Sequence, residues 1–295
     1  MRLITEDKKE NIMNIKWHDQ NLPQMNIHNK NGVTYLTYPA FDSLEGIMHG
    51  FSTRLGGVST GIYSTMNLSF TRGDEESLVR ENFRRIGDAI GFLPENIVTS
   101  DQTHTANVRL VTEEDRGKGF TRPRDYQDVD GMVTNVPGLV LSTFYADCVP
   151  LYFVDPVHKA VGLSHSGWRG TASRIGKVTV EKMAREFGSE PEDILAAIGP
   201  SICQDCYEVS EDVADQFKKT FDEKYWPEIF YKKPDGKYQL NLWQANRRIL
   251  MEAGVKEEHI SMPNLCTCCN PDLMFSHRAS HGKRGNLGAF LGLKK

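Results

Sequence analysis

Apolar positions along this chain follow two rhythms: short β-branched runs between turn residues, and longer stretches where apolar residues return every three or four positions. Val33–Tyr38, Ile47–Ser52, Val108–Val111, Met132–Thr134, Leu139–Phe144, Val149–Val154, Ala160–Leu163, Ile194–Ile198 and Leu287–Leu293 read as strands. Asp74–Gly91 reads as a helix, because Leu78, Val79, Phe83, Ile86, Ala89 and Ile90 share one face. A second helix is expected to open at Ser166-Gly167-Trp168 and run to about Phe187, where Gly188 stops it and Pro191 follows. Two more are expected over Ser210–Phe221, capped by Ser210, and over Asn241–Ala253. Strands and helices intermix without strict βαβ alternation, which predicts an α+β fold rather than a doubly wound sheet. Residues 1–32 are polar throughout and read as a loosely attached extension, leaving 33–295 as one catalytic domain.

Composition adds exclusions. The 295 residues are 39% hydrophobic and 25% charged with a net charge of −4, so nothing in the balance provides a footprint for nucleic acid or an anionic membrane. No apolar run approaches the roughly 18 residues of a membrane span, and the N-terminus has no signal-peptide pattern, so a cytoplasmic location is expected. Six cysteines in such a chain point to thiols or metal ligands before disulfides. Cys203-x-x-Cys206 with Cys266, Cys268 and Cys269 suggests a structural zinc site. Against it stand the adjacent Cys268-Cys269 and the want of a usual second C-x-x-C, and free thiols are the expectation.

The densest chemistry lies between Tyr145 and Thr171. Asp155-Pro156-Val157-His158 separates two apolar runs with turn residues. A hairpin centred between Pro156 and Val157 sets Cys148 opposite His165, roughly 4.5–5.5 Å apart at Cα and on the same face. A thiolate and an imidazole there serve either as two zinc ligands or as the nucleophile and base of a cysteine hydrolase, with Asp147 or Asp130 orienting the base. His104, in Gln102-Thr103-His104, separates the two: a Cys–His pair has no use for it, whereas an open zinc site needs a third ligand. A zinc ion held by His104, Cys148 and His165 lowers the pKa of a water to about 7. Arg169, in the turn after His165, together with Arg54 and the Arg278/Arg284 pair, supplies cations for an anion. A third alternative is a non-catalytic protein that binds metal or nucleotide.

Gln102-Thr103-His104, Asp130-Gly131, Ala146-Asp147-Cys148-Val149-Pro150, His165-Ser166-Gly167-Trp168-Arg169-Gly170-Thr171, Gly199-Pro200-Ser201-Ile202 and Tyr207-Glu208-Val209 follow one another in this order. Over roughly Phe51 to Leu293 the chain resembles the laccase-domain family, also called YfiH/YlmD or polyphenol-oxidase-like. The resemblance implies a single layered α/β/β/α domain, with His104, Cys148 and His165 as the metal ligands. It also implies phosphorolysis of adenosine, inosine and methylthioadenosine, with adenosine deamination beside it, so that purine nucleosides and phosphate are the expected partners. Asp147 is our candidate for handling protons. Thr105 departs from a usual glycine, and Ser276-His277-Arg278-Ala279-Ser280 from a tyrosine–arginine–arginine pattern. The laccase label fails on composition: the nine histidines form no His-x-His pair, whereas a multicopper oxidase draws on many such pairs. Zinc is the expected metal, with copper admitted at the same three ligands because Cu²⁺ outcompetes Zn²⁺ at most such sites.

Overall fold

The computed structural model describes residues 15–22 and 24–295. Its strands form two six-stranded sheets and a small three-stranded one. The first large sheet runs, edge to edge, through Asn26–Lys30, Val33–Thr37, Ile47–Ser52, Leu287–Leu293, Val140–Tyr145 and Ile97–Thr99. The second runs through Ile260–Ser261, Leu195–Ile198, Val149–Asp155, Ala160–Ser166, Gly131–Thr134 and Val108–Leu110. Central strands of both are buried along their whole length, which is why they read as continuous apolar runs rather than alternating ones.

The layering follows from where those side chains go. Leu36, Phe51, Leu141 and Leu291 of the first sheet meet Tyr152, Val154, Val161 and Leu163 of the second in a core between the sheets. The opposite face of the first sheet, through Val33, Met48, Val140 and Phe290, packs on Val79, Phe83 and Ile86 of the helix Glu76–Ile90. The opposite face of the second, through Val149, Leu151 and Phe153, packs on the helices Ile175–Phe187 and Leu242–Glu252. Helix, sheet, sheet and helix are thus stacked in a single domain, as the α+β, α/β/β/α expectation has it.

Local differences have local causes. The helix expected from Ser166 to Phe187 is two, Trp168–Ala172 and Ile175–Phe187, because Arg174 sits between them at φ 60°. Ser210 occupies the N-cap of Glu211–Thr220, yet its hydroxyl turns to Asp212 instead of a helix N–H. The extension expected to be loose is attached in its described part. Residues 15–22 lie along the 264–270 segment, with Lys16 and Asn270, and Asp19 and Asn264, exchanging hydrogen bonds of 2.8–3.1 Å. Asn26–Lys30 is an edge strand, paired with Val33–Thr37. Residues 1–14 lie outside the described residues.

The central hairpin is slipped from its expected register. Pro150 opposes His165 and Val149 opposes Ser166, so the turn centres between Val157 and His158. Asp155 Oδ1 sets that four-residue turn by accepting from the amides of Val157 and His158 at 2.8 and 3.0 Å, and Lys159 closes it at φ 51°. Moving the centre by one residue moves each partner by two. Cys148 is therefore a diagonal neighbour of His165, not its direct partner, and side-chain parity is retained. Pro150 is tolerated because the next strand ends beside it: a Cβ on Gly199 would come within 2.5 Å of the Pro150 ring.

Candidate metal centre

One buried carboxylate organises the site. Asp130, fully buried just before the strand Gly131–Thr134, accepts from His165 Nδ1 at 2.8 Å and from the His104 amide at 3.1 Å through Oδ1. Its Oδ2 accepts from the amides of Thr103 and Thr105 at 3.2 and 2.8 Å and from the Thr105 hydroxyl at 2.9 Å. Burial alone would raise its pKa, but His165 and Thr105 hold it below the ordinary carboxylate value. The same group thus fixes the ring of one histidine and the backbone of the other, which turns at φ 67°. Thr105, the departure from the family pattern, is part of this cradle.

His104, Cys148 and His165 each offer a ligand atom, and the three lie within 4.8 Å of one another. The two imidazole rings meet edge to face at 4.9 Å. Burial pushes the Cys148 thiol up, but His165 and His104 outweigh it and bring the thiol down to about 6; the His165 imidazolium is correspondingly raised to about 9. The chain also makes room for the sulfur and the ring. A Cβ on Gly167 would stand 2.9 Å from His104 Cδ2 and 3.2 Å from Cys148 Sγ, so only glycine fits there without a shift. Two imidazoles and a thiolate, with His165 Nδ1 engaged by a carboxylate, are the donor chemistry and outer support of a zinc or copper site.

The three ligands stand in the wall of an open cavity of about 1340 Å³, together with Phe70, Phe120 and Phe144, Gln102, Arg72 and Arg284. Of the four arginines expected from the sequence, Arg284 is in this wall and Arg54, Arg169 and Arg278 are not. Arg54 is spent on the carbonyls of Ser64 and Pro271, both at 2.9 Å. Arg278 is spent on those of Cys206 and Glu208 at 2.9 and 3.0 Å, and Arg169 lies over the Trp168 ring at 4.3 Å. None of the three lines the cavity. The helix that carries Arg169 has five residues, too few for a strong dipole at its N-terminus. Arg72, Arg80, Arg122, Arg124 and Arg284 do line it, and of these Arg80 and Arg124 pair with Glu76 and Asp101. Arg72, Arg122 and Arg284 pair with no acid among the described residues and donate to carbonyls, Arg72 to Gly282 at 3.2 Å and Arg284 to Gly285 at 3.3 Å. Burial, then the charge of Arg72, lowers the pKa of Arg284, whose Nε is buried without a partner.

Asp147 stands at φ 96° and is 8% exposed. Its oxygens accept from Thr267 Oγ1 and the Arg278 amide, both at 2.7 Å. It therefore anchors the 262–286 segment against the hairpin. The sequence offers Asp130 beside Asp147 as the acid that orients His165, and it is Asp130 that meets the ring; its hold on the His104 backbone has no sequence signal. The sequence also places Arg284 beside Arg278 but has no signal for which of them reaches the cavity.

Comparison with known proteins places the chain in a family. Residues 48–294 match the family described as multi-copper polyphenol oxidoreductase laccase, and the chain belongs to that family. Among its relatives is the purine nucleoside phosphorylase YlmD of Bacillus subtilis, 38% identical over 254 residues covering 84% of this chain and 89% of that protein. Another is adenosine deaminase RL5 from an unknown prokaryotic organism, 36% identical over 80% of this chain and 90% of that one. Of solved structures, the Bacillus licheniformis protein YfiH superposes with a TM-score of 0.84 at 35% identity, covering 90% of this chain and 97% of that one. YlmD from Geobacillus stearothermophilus gives 0.82 at 36%, with the same coverage. The family's relatives support an enzyme acting on purine nucleosides. No described helix is long and apolar enough to cross a membrane.

Proposed function

We propose that the protein is a zinc-dependent purine nucleoside phosphorylase with adenosine deaminase side activity, its zinc held by His104, Cys148 and His165. The observation that carries this reading is the meeting of three soft ligands, supported by Asp130, in the wall of a cavity that also presents Arg72 and Arg284. A zinc ion bound there supplies Lewis acidity and acidifies water, the chemistry of deamination. Asp130 keeps the Nδ1 proton of His165 and leaves Nε2 for the ligand position. Arg284 and Arg72 hold phosphate, in place of Arg54, Arg169 and Arg278. A phosphate oxygen then bonds to C1′ of the ribose as the C1′–N9 bond breaks; its electron pair leaves on the base, which takes up the proton that hydrogen phosphate gives up. Asp147, with both oxygens engaged, serves as the anchor of the Cys148 turn rather than as a proton carrier.

One observation favours a second reading. Asp130, His165 and the depressed Cys148 thiol have the order of a metal-free Cys–His–Asp hydrolase. His104 is superfluous to that reading. The deciding experiment incubates adenosine with the protein with and without phosphate and identifies the products. Phosphate-dependent adenine and ribose-1-phosphate are expected, with a smaller yield of inosine. If neither adenine nor inosine forms, or if His104→Ala leaves turnover intact, the proposal fails. Rapid alkylation of Cys148 that added zinc does not slow would favour the hydrolase.

A further inference from the structure

Four of the five remaining cysteines converge at a second place. Cys203, Cys206, Cys266 and Cys269 bring their sulfurs within 4.8 Å of one another, although about sixty residues separate the two pairs. The second C-x-x-C judged absent from the sequence is present: it is Cys266-x-x-Cys269, masked by Cys268 inside it. The spacing C-x-x-C with C-x-x-C is that of closed structural zinc sites.

The geometry agrees with a single tetrahedral ion. Cys206 and Cys269 sulfurs are 3.4 Å apart and Cys203 and Cys269 sulfurs 4.0 Å. Four sulfurs at about 2.3 Å from one zinc ion are about 3.8 Å from each other. The observed separations bracket that edge, and both are far beyond a sulfur–sulfur bond of about 2.05 Å. Cys266, 1% exposed, also accepts from the amides of Cys203 and Cys269 at 3.2 and 3.4 Å. Amide donors aimed at a buried sulfur favour the thiolate that a metal requires.

What the ion would fasten is visible in the chain. Between Ser261 and Leu287 there is no helix or strand. This segment of about 25 residues delivers Thr267 and the Arg278 amide to Asp147, next to Cys148. Thr267 lies between Cys266 and Cys269, and Arg278 reaches back to the Cys206 carbonyl. Irregular segments of this length inside a domain are uncommon and need fastening. We propose that Cys203, Cys206, Cys266 and Cys269 bind a structural zinc ion, which clamps the 262–286 segment onto Asp147 and so holds the turn that carries Cys148. The site is closed: four protein ligands leave no position for substrate, and it stands or falls independently of the chemistry at His104, Cys148 and His165.

The test uses full-length protein purified with reducing agent and analysed for metal. In a His104→Ala/His165→Ala variant, about one zinc per chain is expected to remain, with X-ray absorption showing sulfur neighbours alone at about 2.3 Å. In the otherwise wild-type chain, Cys206→Ser and Cys269→Ser are each expected to lose about one zinc, whereas Cys268→Ser keeps it. Because a serine variant can also lose metal by misfolding, Co²⁺ is exchanged into the double-histidine variant. Intense visible bands of a four-thiolate tetrahedral site are expected. A double-histidine variant that folds by circular dichroism but carries no zinc and gives no such bands overturns the proposal. So does iron in place of zinc, or a disulfide between any two of the four in the reduced preparation.

Discussion

Two clusters of soft ligands lie on either side of Asp147, and they differ in the way that separates reacting metals from structural ones. His104, Cys148 and His165 come from strand ends and a left-handed loop residue, number three, and face a cavity. Cys203 and Cys206 come from the 3-10 turn Gln204–Cys206 and its N-cap, Cys266 and Cys269 from an irregular segment; they number four and face one another. A three-ligand set keeps a position for water or substrate, whereas a four-ligand set fills its tetrahedron with protein. Asp147 and Thr267 join the two across a 2.7 Å hydrogen bond. On the two proposals made above, ligand count and surroundings, more than ligand type, separate the work of the clusters.

The largest way to break the comparison is to remove a ligand from the open site. His165→Ala is expected to lower phosphorolysis by about 10³-fold or more while the four-cysteine metal stays in place. Asp130→Asn keeps the shape but loses the charge that holds His165 Nδ1–H, and metal affinity at the trio is expected to fall about 10- to 100-fold. Competition with a graded chelator measures it: an unchanged affinity would show that Asp130 does not support the ligand set. Next in size is Arg284→Gln. A hydrogen bond to a charged group is worth about 1.5–3 kcal/mol, so KM for phosphate is expected to rise about 10- to 100-fold, with KM for nucleoside little changed. Equal rises for both substrates would remove Arg284 from the phosphate position and reopen the question of which arginine serves.

Gly167 sharpens the same contrast from the backbone side. A methyl at this position meets His104 Cδ2 at 2.9 Å and Cys148 Sγ at 3.2 Å, both within the open site and neither in the closed one. Gly167→Ala is expected to weaken metal binding at the trio by about tenfold, since overpacking costs about 1–3 kcal/mol. Metal at the cysteines is expected to stay constant. Metal lost from both sites together would mean that the variant unfolds rather than repositions.

Much of this was legible in the sequence, and the failures have physical reasons. Cys148 and His165 were placed together by a hairpin with the wrong centre. The placement survived because shifting a strand partner by two keeps every side chain on its face. His104 was found through its chemistry, since a third ligand gives meaning to the other two. Arg54, Arg169 and Arg278 were read as cations awaiting an anion, but a guanidinium satisfies carbonyls equally well, and nothing in the sequence says which it meets. The cysteine quartet is raised by the sequence as a zinc site and ranked below free thiols, because Cys268 interrupts the second C-x-x-C and the two pairs lie far apart along the chain. The small sheet of Glu208–Val209, Tyr238–Leu240 and Phe230–Lys232 has no sequence signal, its strands being too short for alternation to register.

The smallest expected effect lies at the far end of the hairpin and tests whether register alone matters to the open site. Asp155 is fully buried, and its Oδ1 sets the turn through the Val157 and His158 amides. Burial would raise its pKa, but the His158 ring and the turn amides hold it below the ordinary 3.8. A carboxylate depressed in the folded state adds stability above its unfolded pKa and loses it as pH falls through the folded value. Asp155→Asn is therefore expected to cost about 1–2 kcal/mol near pH 7. The gap from the wild type should narrow in acid below 3.8, as followed by urea unfolding at several pH values. A gap constant from pH 7 to pH 3 would mean that the amide-for-carboxylate exchange, not the charge, sets the cost. Since Pro150 and His165 are also aligned by the neighbouring strands Leu195–Ile198 and Gly131–Thr134, the trio is expected to keep its metal in this variant. If the trio loses its metal while the cysteines keep theirs, the turn, and not the sheet, holds the register on which the open site depends.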